Sequence, residues 1–215
     1  MGTLFESKNC IMGRYVSLLE MTRDDILKGS EPDPFKKNIK ERSQGYRYRM
    51  ERVVASADTR EVVIKFVCSA AGHEMHSVYV ALDSFWDMFD ENQASEKPVN
   101  MAYLVNLCIM QGEIRCSCTC PSWIYSGAKY IGTQLGYAYG GKETRFPREK
   151  NPQLKGTICK HLYVVLKALP FQKFGIASQL TSELKRLGVL GVKKEEPEPE
   201  TEAEPEAAEN NENET

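Results

Sequence analysis

The sequence has no apolar run long enough to cross a membrane. None of its hydrophobic stretches approaches the roughly 20 residues that a transmembrane helix needs. Residues 1–7 also lack the basic and then apolar regions of a secretory signal. The cysteine count is odd, at seven, which argues against a framework of disulfide bonds. We therefore expect an intracellular protein that is neither secreted nor attached to a membrane, in a compartment where clustered cysteines bind metal rather than oxidise.

Signatures of catalysis are missing as well. The sequence contains no nucleophile elbow, no kinase signature and no His-Glu-x-x-His helix. Residues 136–142 satisfy the glycine and lysine positions of a phosphate-binding P-loop, but Glu143 occupies the position where Ser or Thr must hold magnesium. Because its carboxylate would repel phosphate, we do not expect nucleotide binding. These absences favour a protein that is not an enzyme.

Basic residues are absent from the end of the chain. Residues 195–215 contain ten Glu and no Lys or Arg, and their Glu, Pro, Ala and Asn bury too little apolar surface to become ordered. Residues 1–194 hold all 28 basic residues against the remaining 20 acidic ones, so this part carries a net charge of +8. We expect a disordered acidic tail over residues 193–215, opposite in charge to the rest of the protein.

The periodicity of the remaining sequence predicts an α+β fold. Residues 46–54, 61–68 and 75–82 alternate between apolar and polar side chains and are separated by short turns, which predicts an antiparallel β meander. Residues 101–110 and 113–118 are predicted as two more strands around a Gln111-Gly112 turn, although the first is apolar enough to be helical. Short helices are predicted at residues 22–29, 35–42, 83–90, 162–169 and 176–187.

Potential metal ligands are concentrated in residues 116–161. Cys118-x-Cys120 is followed, after a long spacer, by Cys159-x-His161. Three thiols and one imidazole are donors that a tetrahedral zinc site can use. On a strand, the first two thiols would point to the same side, and the second pair precedes an apolar run that predicts a helix ended by Pro170. We therefore expect a C-terminal ββα unit that binds Zn²⁺.

These residues resemble the SWIM-type zinc finger, whose pattern is Cys-x-Cys, a variable spacer and Cys-x-His. The resemblance implies that the zinc ligands are Cys118, Cys120, Cys159 and His161, with a proline directly after the first pair. It also implies DNA binding or protein interaction, without choosing between them. Cys116-x-Cys118 offers an alternative register in which Cys116 is a ligand, and buried or redox-active cysteines are the alternative to a metal site.

The spacer, residues 121–158, is long and combines aromatic with basic side chains. Its six basic residues outnumber two acidic ones, which gives this insert a net charge of +4. Basic residues interleaved with aromatic ones can follow phosphates and stack on bases, so we expect nucleic-acid contacts here. The predicted contact residues are Lys129, Lys142, Arg145, Arg148, Lys150, Lys155, Trp123 and Tyr125. A docking loop for a protein partner and a purely structural loop are the alternatives.

The sequence thus predicts five regions and a non-enzymatic zinc-binding function. The regions are an N-terminal helical or linker segment (1–44), a β-rich part (45–110), the SWIM-like finger with its insert (111–170), a C-terminal helix (171–192) and the acidic tail (193–215). The expected partner is DNA or RNA, with a protein partner as the alternative. Trp123-x-Tyr125 and Phe146-Pro147-Arg148, placed ahead of Cys-x-His, are also similar to uncharacterised zinc-binding proteins of tailed phages, which implies a viral protein in the host cytoplasm.

Overall fold

Four antiparallel strands form the centre of the structure. A computed structural model describes residues 21–30, 39–70, 72, 74–94 and 99–191. Its strands are β1 (Arg47–Ser56), β2 (Glu61–Ser69), β3 (His76–Leu82) and β4 (Ile114–Cys118). They lie side by side in the order β1-β2-β3-β4, and each neighbouring pair is antiparallel. The predicted meander is confirmed, and together with the helices it makes the fold α+β.

The two faces of the sheet differ because the strands alternate between apolar and polar side chains. In β2 every second residue is buried, starting at Val62 and ending at Cys68, whereas the residues between them are partly exposed. The buried series continues at Val78 and Val80 in β3 and at Cys116 in β4. Strict alternation of this kind is typical of an antiparallel sheet that packs its core on one face only.

The described part of the chain also contains eight α-helices and one short 3-10 turn. The helices are α1 (Arg23–Gly29), α2 (Ile39–Arg42), α3 (Phe85–Ala94), α4 (Met101–Gln111), α5 (Pro121–Tyr125), α6 (Ala128–Gln134), α7 (Lys160–Ala168) and α8 (Lys173–Arg186). The 3-10 turn, Leu169–Gln172, joins the last two helices and contains Pro170. Helix α7 contacts all four strands, and α8 packs along β1 and α4.

The start of α1 and the buried face of α8 agree with the predictions from the sequence. The hydroxyl of Thr22 accepts a hydrogen bond from the backbone N–H of Asp25, and the Asp25 carboxylate accepts one from the Thr22 N–H. This reciprocal cap satisfies N–H groups that have no partner inside the helix. In α8, Ile176, Leu180 and Leu184 are fully buried, as their spacing on one helix face predicts.

The prediction of a strand at residues 101–110 is wrong, because this segment is helix α4. Asn100 caps it by accepting a hydrogen bond from the N–H of Tyr103. Its buried residues are Leu104, Val105, Cys108 and Ile109, a spacing that fits a helix face and not a strand. Consequently β4 does not form the predicted hairpin with residues 101–110 and pairs with β3 instead.

Helix α3 starts later than the sequence suggests. The prediction placed Asp83 at the helix start, but the helix begins at Phe85. The carboxylate of Asp83 instead accepts two hydrogen bonds, both of 2.7 Å, from the guanidinium of Arg115 on β4. An ion pair to a neighbouring strand has therefore replaced the expected cap.

Several predictions concern residues outside the described ones. The acidic tail at 193–215, most of the N-terminal segment and part of the helix predicted at 35–42 belong to this group. The five proposed regions stay predictions. Among the described residues, no helix is long and apolar enough to cross a membrane.

Candidate metal centre

The four predicted ligands lie together at one end of the sheet. Cys118 ends β4, Cys120 follows two residues later, and Cys159 and His161 lie at the start of α7. One potential ligand atom from each residue forms a group in which all atoms are within 4.8 Å of one another. The Sγ atom of Cys118 lies 3.8 Å from Nδ1 of His161. All four residues are buried, with exposed fractions between 1% and 4%.

Two helix starts hold two of the thiols in place. Cys120 precedes α5 in an extended conformation, and its Sγ accepts a hydrogen bond of 3.3 Å from the N–H of Trp123. Cys159 precedes α7 in the same conformation, and its Sγ accepts one of 3.5 Å from the N–H of Leu162. Each sulfur thus replaces the oxygen that usually caps a helix. The sequence analysis did not predict that both cysteines cap helices, although Pro121 in the first helical position is a typical sign of a helix start.

The electrostatics of the cluster favour a bound cation. Hydrogen bonds to Cys120 and Cys159 raise the pKa of the Cys118 thiol, and burial raises that of Cys159. The pKa of Cys120 is lowered, because the thiols of Cys118 and Cys159 both donate to its sulfur. The three thiols share one small buried space, where three negative charges repel one another unless a cation lies between them. A divalent cation would let all three ionise, and sulfur with imidazole nitrogen is the donor set that Zn²⁺ prefers.

Cys116 lies outside this cluster. Its side chain is fully buried on the inner face of β4, and burial raises the pKa of its thiol. The backbone of Cys116 instead holds the insert against the sheet. Its N–H donates to the Tyr137 carbonyl at 2.7 Å, and its carbonyl accepts from the N–H of Tyr139 at 2.9 Å. The structure thus brings together the ligands of the later register, Cys118-x-Cys120, and not those of the earlier one.

A comparison with protein families finds a resemblance in one part of the chain. The SWIM zinc finger model matches residues 101–129. The matched segment contains α4, β4 and the first cysteine pair, and the fold supplies Cys159 and His161 from farther along the chain. No curated protein and no solved structure matches the chain. The resemblance to the SWIM zinc finger is therefore confirmed for this segment, while the similarity to tailed-phage proteins finds no support.

A small groove opens beside the cluster of four ligands. It has a volume of about 300 Å³, and its walls include Tyr46, His76, Lys160 and the ligands Cys120 and His161. The ring of His76 lies 4.7 Å from that of His161, and the ring of Tyr46 meets the same imidazole edge-on at 5.0 Å. These two contacts fix the plane of the ligand imidazole. His76 was missed from sequence because its position depends on β3 pairing with β4.

The insert is more ordered than the predicted long loop. It contains α5 and α6, and its aromatic centre is the fully buried Tyr137, whose hydroxyl donates to the Thr157 carbonyl at 2.6 Å. The side-chain amide of Asn151 donates to the carbonyls of Ser126 and Lys155, which joins the beginning of the insert to its end. The insert is therefore a packed unit attached to the metal centre at both ends.

The predicted nucleic-acid contacts fall into two groups. Trp123 is 1% exposed and packs near Tyr137, with ring centroids 6.5 Å apart, so its assignment as a base-stacking residue is wrong. Tyr125 is 64% exposed and remains available. Lys129 is partly exposed. The other five basic residues are exposed; they are Lys142, Arg145, Arg148, Lys150 and Lys155.

Arg145 of the insert has an acidic partner. The guanidinium of Arg145 makes two hydrogen bonds, of 2.9 and 2.8 Å, to the carboxylate of Glu143. This contact lowers the pKa of Glu143 to about 2. Glu143, which stands where a P-loop has Ser or Thr, therefore neutralises part of the positive charge of the insert.

Proposed function

We propose that this protein is a non-enzymatic zinc-binding module that contacts nucleic acid through the basic surface of its insert. The observation that carries the proposal is the convergence of four buried donors, with one ligand atom each from Cys118, Cys120, Cys159 and His161 within 4.8 Å of one another. Three thiolates and one imidazole would complete the tetrahedral shell of Zn²⁺.

The burial of the cluster supports a structural role for the ion. A catalytic zinc keeps one coordination position open for water or substrate, whereas a structural zinc has four protein ligands. Here all four donors come from the protein, and none of the four residues is more than 4% exposed. The ion would hold the end of β4 against the start of α7, and it would fix both ends of the insert.

Exposed positive charge supports the nucleic-acid contact. Lys142, Arg148 and Lys150 are exposed on the insert, and Tyr125 exposes a ring on the same unit. Contacts between such side chains and phosphates release counterions, so their affinity falls steeply as salt rises.

Metal analysis tests the zinc. Purified protein should contain one Zn²⁺ per chain, and removal of the ion with a chelator should lower the helix signal in circular dichroism and expose the buried thiols to alkylation. We expect this because ligand binding supplies much of the folding free energy of small zinc modules. Full retention of structure after complete removal of zinc would contradict the structural role.

A titration with oligonucleotides at several salt concentrations tests the proposed contact with nucleic acid. The variant K142A/R148A/K150A should bind DNA or RNA more weakly than the natural protein, with a smaller dependence on salt. The matched control is K28A/K167A/K185A, which removes the same charge from exposed positions on α1, α7 and α8. If both variants bind equally well, the insert is not the contact surface.

Protein docking is the second candidate, and a different surface favours it. Phe171, Phe174 and Tyr103 expose 83%, 68% and 59% of their surface on the 3-10 turn, α8 and α4. These three elements contact one another. Exposed aromatic side chains are typical anchors of protein interfaces. A partner held there would be lost in F171A/F174A and would depend little on salt.

A further inference from the structure

The open face of the sheet carries a second basic surface that the sequence did not suggest. Arg47, Arg49 and Arg52 are all exposed on β1, the strand at one edge of the sheet. Arg47 and Arg49 share a face because they are two residues apart on a strand. A shift of register between Met50 and Arg52 brings the third arginine opposite Lys65 of β2. We call Arg47, Arg49, Arg52 and Lys65 the sheet basic row.

One acidic residue lies within this row and is already neutralised. Glu51 pairs with Lys65, whose Nζ lies 2.6 Å from its carboxylate oxygen. The pKa of Glu51 is lowered first by this hydrogen bond, and the charges of Arg49 and Arg52 lower it further. One carboxylate therefore stands among four cations, and the row keeps an excess of positive charge.

An aromatic ring lies beside the row, in the middle of the sheet. Tyr79 of β3 is paired with Lys65 on one side and with Ser117 of β4 on the other. It alternates with the buried Val78 and Val80, so its ring belongs to the open face, where it is partly exposed. Side chains from three strands thus place cations at the edge and an aromatic ring at the centre of one surface.

We infer that this face binds a single-stranded nucleic acid, with phosphates along the arginines of β1 and a base stacked on Tyr79. Alternate residues of a strand are about 7 Å apart, so a row of arginines can follow an extended sugar-phosphate chain. A sheet with basic residues and a partly exposed ring suits unpaired bases, since a duplex keeps its base faces stacked and inaccessible. The inference rests on the proposed nucleic-acid function and adds a surface to it.

Substitution of the sheet arginines in the full-length, zinc-loaded protein tests this surface. The probe is a fluorescein-labelled oligothymidylate of about 15 nucleotides, long enough for one small binding surface. R47A/R49A/R52A should weaken binding roughly 10- to 100-fold at low salt, and the slope of log K against log salt should fall by about 2, since each lost phosphate contact in a single strand contributes about 0.7. The control K28A/K167A/K185A should change affinity less than about threefold, as charges distant from a binding surface are screened.

Tyr79 provides a test of stacking that does not depend on charge. Tyr79→Phe keeps the ring and should keep both affinity and the preference for a single strand over a duplex. Tyr79→Leu should weaken binding roughly fivefold or more, because stacking on an aromatic ring contributes strongly for each base. Zinc content and the urea midpoint of each variant show whether it is folded.

The outcomes separate this inference from the proposed function. If the sheet variant binds like the control while the insert variant loses binding, the inference is wrong and the proposed function stands. If the zinc-loaded natural protein binds no oligonucleotide, both fail. If the acidic segment at 195–215 occupies this face instead, the sheet variant of the full chain will show no loss, which also overturns the inference.

Discussion

Cys120 and Cys159 have the same local environment although they are far apart in sequence. Each precedes a helix in an extended conformation, and each sulfur accepts a hydrogen bond from the backbone N–H three residues later. Hydrogen bonds to a sulfur favour its ionised form, and only the thiolate binds a metal. Each residue is thus oriented for ligation by the helix that it precedes.

Substitution of individual ligands distinguishes the two registers. Cys120→Ser should abolish or badly weaken zinc binding, and His161→Ala should do the same, because a tetrahedral structural site has no spare ligand. Cys116→Ser should keep one Zn²⁺ per chain and cost about 1–3 kcal/mol of stability, since it places a hydroxyl in a fully buried position. Metal analysis and urea denaturation of the three variants measure both quantities. Loss of zinc in Cys116→Ser with retention in Cys120→Ser would show that the earlier register is correct.

At the scale of elements, the packing of α6 on the rest of the insert depends on a glycine. A Cβ atom at Gly132 would lie 2.9 Å from Cε2 of Tyr137 and 3.2 Å from the Trp123 ring. The Tyr137 ring cannot easily move away, because its hydroxyl donates a hydrogen bond to the Thr157 carbonyl. The close approach of helix and ring therefore requires a residue without a side chain.

Gly132→Ala should destabilise the protein despite the higher helix propensity of alanine. Overpacking of a buried site costs about 1–3 kcal/mol, and the gain in propensity is about 1 kcal/mol, so we expect a net loss of up to about 2 kcal/mol. Gly141→Ala is the control, since a Cβ there meets nothing within 4 Å, and it should be neutral or slightly stabilising. Urea denaturation measures both. Equal stability of the two variants would mean that α6 can shift away from Tyr137.

The elements that the sequence predicted correctly are those with a clear period or cap. The alternation of residues 46–82 specified three strands, and Thr22 specified the start of α1. Residues 101–110 were mistaken for a strand because a segment that is apolar on nearly all sides has no period to distinguish helix from strand. The cap at Asn100 was the overlooked signal.

The site was predictable in its ligand types but not in its surroundings. Cys118-x-Cys120 and Cys159-x-His161 are local patterns, whereas the contacts of His76 and Tyr46 with the imidazole depend on pairing between strands distant in sequence. The burial of Trp123 was equally invisible, since its partner Tyr137 reaches it only once the insert has folded. Interactions across long sequence separations are what a single sequence does not report.

At the scale of the whole molecule, the two parts of the chain on either side of residue 194 carry opposite net charges. Residues 1–194 carry a net charge of +8, and residues 195–215 carry ten Glu. Opposite charges on one chain attract each other over a screening length of roughly 8 Å at physiological salt. The acidic segment would then compete with phosphate for basic residues of the insert such as Arg145, Arg148 and Lys150.

Truncation after Lys194 tests this competition. The shortened protein should bind nucleic acid more tightly than the full chain at low salt, and the gain should shrink as salt rises, because screening weakens the internal attraction. Titrations of both forms at low and moderate salt provide the comparison. Equal affinities at low salt would leave the acidic segment as an aid to solubility.

Residues 140–156 of the insert begin and end at neighbouring points, since the Tyr137 hydroxyl donates to the Thr157 carbonyl. A segment that leaves and re-enters a fold at one point can change in length at little thermodynamic cost, because each doubling of a flexible loop adds only about 0.6 kcal/mol of closure entropy. Shorter, longer or differently charged versions of residues 140–156 would leave the backbone contacts of Tyr137 and Tyr139 with β4 in place. This part of the chain is therefore where a new partner could be acquired without rebuilding the fold.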